Sequence, residues 1–122
     1  MINLRCRTEY SFRKAFGKVS DVIACVEEDT IGICDTGTWG HTVFAKACKD
    51  AGKRPIFGVE IPFVIDTSFH KKQEVNDMSF LAKNNAGLEE IYGLVSKSAK
   101  QNNRLAYEDL FDISDDVIIL SG

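Results

Sequence analysis

The chain has 122 residues, of which 44% are hydrophobic and 27% charged, with a formal net charge of −3. That length suits one domain, residues 1–122, whose core covers more than half of the unfolded surface. Mild acidity argues against direct nucleic-acid binding by this chain alone, because a duplex is gripped through clustered Lys and Arg.

No apolar run approaches the roughly 20 residues of a membrane helix. Charged residues interrupt every apolar run before Val22, which speaks against a secretory signal. A cytoplasmic protein without membrane contact is expected. Cys6, Cys25, Cys34 and Cys48 show no C-x-x-C spacing and are expected to be reduced, small hydrophobes rather than zinc ligands.

Residues 2–6 alternate apolar and polar, which predicts a first strand. A polar loop follows around Ser11 to Gly17. Ser20 reads as an N-cap for a helix running to about Asp29, with Val22, Ile23 and Val26 on its apolar face. Thr30 to Cys34 is short, apolar and β-branched, bounded by Asp35-Thr36-Gly37, and predicts a second strand. A second helix is expected over Thr42 to Ala51, with Gly52 as its C-terminal stop.

Pro55 to Ile65 has strand composition, and Gly58 and Pro62 suggest a bend or an exposed edge. Thr67 to Asn76 reads as a surface loop and Ser79 to Ala82 as a fourth strand. A long helix from Ala86 to about Gln101 is expected to turn Leu88, Ile91, Tyr92 and Val95 to the core. Tyr107 to Phe111 reads as a short helix and Val117 to Leu120 as a fifth strand. Strands alternating with helices imply βαβ units, an α/β fold with a mainly parallel sheet. Ligands in such folds gather at the C-terminal strand ends, which directs attention to Arg5, Arg7, Asp35 to Thr38, and Glu60.

Five collinear blocks carry a resemblance. Asn3-Leu4-Arg5-Cys6-Arg7-Thr8-Glu9-Tyr10-Ser11 resembles an opening in which H-x-H-T-E-Y-S is usual. Ile33-Cys34-Asp35-Thr36-Gly37 is similar to L-T-D-H-G. Residues 45–60 resemble K-A-A-K-x-A-G-I-K-P-I-x-G-x-E, residues 81–88 resemble L-A-K-N-x-x-G-Y, and Ile118 to Gly122 resembles I-x-L-S-G. These blocks belong to the N-terminal part of the PHP (polymerase and histidinol phosphatase) domain of bacterial DNA polymerase III alpha subunits.

The resemblance implies a partial (β/α) barrel, about the first half of the family barrel, with a metal cluster at one mouth in members that hydrolyse phosphoesters. This sequence departs at the ligand positions. Arg5 and Arg7 stand at the H-x-H positions and Thr36 replaces the His of the D-H pair, so only Asp35 and Glu60 match. A guanidinium stays protonated and offers a metal no lone pair. No catalytic residue, no metal and no cofactor is therefore expected. Instead, Arg5 and Arg7 are expected to form charge-assisted hydrogen bonds with Asp35 and Glu60.

The expected function is a non-catalytic structural or interaction module associated with DNA replication. An open barrel edge implies self-association or a protein partner. One alternative is a residual metal-dependent phosphoesterase using Asp35, Glu60 and His41; another is a phage-type decoy or inhibitor that binds a replication partner. If the chain is a fragment, its parent would be a DNA-directed DNA polymerase. Trp39 is expected as a core or rim anchor, His41 as a capping or surface residue, and His70, Lys71 and Lys72 as solvated. The Lys97 to Arg104 stretch is expected to be a solvated helix end.

Overall fold

The computed structural model describes residues 3–11, 15–65 and 75–121. The chain's contacts gather into two compact units, Met1–Val59 and Glu60–Gly122.

The first unit contains β1 (Asn3–Cys6), α1 (Val19–Ala24), β2 (Thr30–Asp35), α2 (His41–Asp50) and the first part of β3 (Arg54–Val64). β1 pairs with β2, and β2 with Arg54–Val59 of β3, all parallel. These are the βαβ units that the alternating pattern predicts. Val19, Ile23 and Val26 meet Ile31, Ile33, Phe44 and Cys48 in one buried cluster. Each large apolar side chain so buried contributes about 1.5–3 kcal/mol relative to exposure. Gly32 lets β1 lie close: a Cβ there would stand 2.6 Å from the Leu4 carbonyl oxygen.

Gly52 stops α2 as expected. Its φ of +70° is a left-handed conformation that glycine adopts without a Cβ clash. The Gly52 N–H donates to Lys49 O at 3.2 Å and the Lys53 N–H to Cys48 O at 2.8 Å, so the last carbonyls of α2 are satisfied by a Schellman turn. α1 differs from expectation. Its N-cap is Lys18 without a side-chain cap bond, Ser20 lies inside the helix, and the helix stops at Ala24. Lys53 Nζ donates to the Val26 carbonyl and, at 3.0 Å, to that of Glu28. Those bonds hold the segment after α1 as an irregular turn. Cys34 and Cys48 are buried, but Cys25 is exposed, so the packing role expected of all four cysteines does not extend to it.

The second unit holds the last part of β3, β4 (Asn76–Ala82), α3 (Asn85–Ala99), β5 (Leu105–Ala106), a 3-10 turn (Tyr107–Leu110) and β6 (Val117–Ser121). β5 pairs parallel with Phe63 and Val64 of β3, whereas β6 runs antiparallel to β4, with Phe80 opposite Ile119. The sheet is therefore mixed: the β1–β2, β2–β3 and β3–β5 pairings are parallel, as expected of a mainly parallel sheet, and the β4–β6 pairing is antiparallel. Alternating side chains reveal that a segment is a strand but carry no signal for the direction of its pairing. β3 has hydrogen-bonded neighbours on both sides, so the edge position suggested by Pro62 is not adopted. Pro62 lies between the residues of β3 that pair with β2 and those that pair with β5.

α3 begins at Asn84, whose side-chain oxygen accepts the Gly87 N–H at 2.9 Å, a bond that satisfies one orphan donor of the first turn. It buries Gly87, Ile91, Leu94 and Ser98. The core face is thus rotated from the expected one, and Tyr92 points outward. Ile2, most of the 67–76 loop, and His70, Lys71 and Lys72 lie outside the described residues.

Candidate functional site

The C-terminal end of β2 places a carboxylate in a fully buried position: Asp35 has no exposed surface. A charge there needs hydrogen bonds to replace water. The loop after β1 supplies them. The Thr8 N–H donates to Asp35 Oδ1 at 2.6 Å, the Thr8 hydroxyl to Oδ2 at 2.6 Å, and the Ser11 hydroxyl to Oδ1 at 2.7 Å. Thr8 and Ser11 are buried too. Ser11 Oγ in turn accepts the Thr36 N–H at 3.2 Å, and Thr8 Oγ1 accepts the Tyr10 N–H at 3.2 Å. The Thr8-Glu9-Tyr10-Ser11 segment is therefore folded around Asp35. Every bond of this network lies in the first unit.

Arg5 lies exposed on β1, and Arg7 half-buried just past its end. Thr36 follows β2 and is half-buried. Glu60 is buried in the second unit, inside β3 rather than at its end. Burial and the Asp35 charge push the Cys6 thiol up, which keeps it a neutral thiol.

His41 opens α2 but is buried, which corrects the capping or surface role expected of it. Its Nε2 donates to the Gly58 carbonyl at 2.9 Å and its ring packs on Phe57 with centroids 5.3 Å apart. Burial holds the imidazole below its ordinary value, against the upward pull of the Gly58 bond and the Asp35 charge. Trp39 is 63% exposed, so it is no core anchor. Among the described residues, no three His, Cys, Asp or Glu side chains converge as a metal centre requires.

Asp109, in the second unit, is a buried carboxylate that the sequence reading missed. Lys97 of α3 reaches it at 2.6 Å, the Gln101 amide donates to it at 3.0 Å, and the Ala106 N–H at 2.8 Å. Burial alone would raise its pKa, but the bonds from Lys97, Ala106 and Gln101 outweigh that and hold it below the ordinary aspartate value. The basic end of α3 is thus partly committed to an internal carboxylate rather than simply solvated. The available signal was Asp109 three residues past Ala106, a spacing at which an acidic side chain reaches back to the N-cap N–H.

Parallel βαβ units with a buried aspartate closing the second strand, within one mixed sheet, make an α/β fold consistent with a partial PHP-type barrel. The PHP domain family model matches residues 3–122, and the chain belongs to that family. It is similar to the DNA polymerase III subunit alpha of Borreliella burgdorferi, 31% identical over 134 aligned positions that take in 99% of this chain. It is also similar to the DNA polymerase III subunit alpha of Haemophilus influenzae, 33% identical over 133 positions and again 99% of this chain. The chain spans 12% and 11% of the length of these two relatives. No helix among the described residues is long and apolar enough to cross a membrane.

Proposed function

We propose that this chain is a non-catalytic PHP module that serves DNA replication as a structural or interaction element in the cytoplasm. One observation carries the reading. The carboxylate that matches a family ligand position, Asp35, is engaged through both oxygens by Thr8 and Ser11, while Arg5, Arg7 and Thr36 stand where the family has histidines. A polynuclear metal site needs several neutral or anionic ligands per ion. Two arginines, a threonine and a carboxylate already bonded to hydroxyls do not fit such a site, and no reaction step is assigned to it.

In this reading Arg5 and Arg7 bring the positive charge that metal ions supply in catalytic members, answering the carboxylates of Asp35 and Glu60. Loss of stability in both Arg5→Ala and Arg7→Ala tests that pairing; variants as stable as the parent rule it out. The binding role is favoured by β6. Among the described residues it pairs with β4 alone, and its exposed residues include Ile118 and Ile119. An open apolar edge of this kind templates pairing with another chain, and a specific interface there buries more than about 1,000 Å².

Elemental analysis of the purified, dialysed protein tests the non-catalytic reading directly. The expected result is no stoichiometric zinc or manganese and no metal-dependent cleavage of a nitrophenyl phosphate ester. One metal ion per chain together with such cleavage transfers the assignment to a phosphoesterase using Asp35, Glu60 and His41.

A further inference from the structure

The 3-10 turn Tyr107–Leu110 leaves two aromatic rings in solvent. Tyr107 is 57% exposed and Phe111 69%, yet the rings hold each other edge to face with centroids 5.1 Å apart. Ile65, 74% exposed, adjoins them: the Tyr107 N–H donates to its carbonyl at 3.4 Å. Lys97, Gln101 and the Ala106 N–H pin Asp109 beneath the same turn, so the turn's core-facing side is already occupied. Rings ordered by each other and by a pinned turn lose little freedom on binding. Apolar patches held in water in this way mark interaction surfaces.

Charge identifies the occupant. From Tyr107 to Asp116 the chain carries Glu108, Asp109, Asp112, Asp115 and Asp116 and no Lys or Arg. Lys97 answers Asp109, while Glu108, Asp112 and Asp115 are exposed on the same stretch. Such a surface repels nucleic acid, anionic lipid and a second copy of itself, and attracts cations. Guanidinium groups also stack on aromatic faces. We propose that Ile65, Tyr107 and Phe111, framed by these carboxylates, dock a basic amphipathic segment of a partner protein, with arginine lying between the rings and the acids. This names the partner chemistry for the binding role above and rests on that role.

The test titrates isotope-labelled protein with a synthetic amphipathic peptide of arginine and leucine, beside a counterpart carrying glutamate for arginine. The expected result is amide shifts confined to Ile65 and residues 107–116, induced by the arginine peptide alone and weakened by salt. Phe111→Ser and Asp112→Asn should each weaken binding by about tenfold, with thermal melting unchanged because both side chains are exposed. Equal response to the two peptides, shifts centred elsewhere, or no shifts at all overturns the surface. A dimer in light scattering that Phe111→Ser abolishes overturns it in favour of a second copy. A dimer that Phe111→Ser leaves intact, with no peptide shifts, sinks this surface while leaving the binding role standing.

Discussion

Each unit buries an aspartate, and the two solve the same problem differently. Asp35 receives one backbone N–H and two hydroxyls, all from the loop after β1. Asp109 receives a lysine, an amide and a backbone N–H, from α3 and the start of its own turn. The first solution folds a loop around the carboxylate. The second sets against it a cation whose side chain is 53% exposed. Neutral donors held in a fully buried place have no water to fall back on, whereas a half-exposed lysine does. The first carboxylate should therefore matter more to stability than the second.

Asp35→Ala should have the largest effect. It strands Thr8 N–H, Thr8 Oγ1 and Ser11 Oγ, and should cost about 3–5 kcal/mol, read as a lower urea midpoint. Thr8→Val, which removes one hydroxyl and keeps the shape, should cost about 1.5–3 kcal/mol. A cost for Asp35→Ala no greater than that for Asp109→Asn would break the comparison.

The start of α3 sharpens it from the other side. The Asn84 amide donates to Asp116 at 2.8 Å and the Lys83 N–H to the Asp116 carbonyl at 2.9 Å. Gly87 closes this corner, because a Cβ there would stand 2.2 Å from the Asp116 carbonyl oxygen. Backbone cannot yield cheaply, so Gly87→Ala should cost about 2–3 kcal/mol, where an open helical glycine gains from the same change. Gly93, also in α3, has nothing near its would-be Cβ, and Gly93→Ala should leave stability equal or slightly raised. Equal outcomes at the two glycines would show that the corner is loose. Asp109→Asn, which leaves the Gln101 and Ala106 donors a weaker acceptor, should cost about 1–2 kcal/mol.

What the sequence made legible follows the same divide. The strands and α2 of the first unit were readable because their signals are local: β-branched runs, a glycine after an amphipathic helix, and strands alternating with helices. Asp35 stood out as a family position, and Thr8-Glu9-Tyr10-Ser11 as part of a family block, without a link between the two. Those hydroxyls were not identified as its donors, because nothing in sequence spacing reports a contact between residues 8 and 35. The second unit was less readable because its decisive features are non-local. β5 is two residues long, β6 reveals its direction only through β4, and Asp109 resembles any exposed acid until α3 brings Lys97 to it. The face of α3 was misjudged since Tyr92 and Leu94 both fit an apolar stripe, and packing chose Leu94.

The smallest expected effect is on pH dependence, and it separates the units by the window in which each responds. The folded pKa of His41 is lowered, mainly by burial, so the unfolded chain takes up this proton first. Stability should fall as pH drops from about 6.5, the ordinary histidine value, toward the lower folded value, and the loss should then level off. Asp109 is also lowered, because its bonds from Lys97, Ala106 and Gln101 outweigh burial. Its contribution is complete above the ordinary aspartate value of about 3.9 and is lost as pH falls through the lower folded value. Acidification should thus weaken the protein in two windows, the first set by His41 and the second by Asp109. His41→Gln, which retains an N–H donor for Gly58, should flatten the upper window alone. Asp109→Asn should reduce the lower alone, leaving the part that Glu28, also lowered by its backbone hydrogen bond, contributes there. Urea midpoints measured across both windows would contradict the assignment if they fell in one step that neither substitution changed, or if the two substitutions flattened the same window.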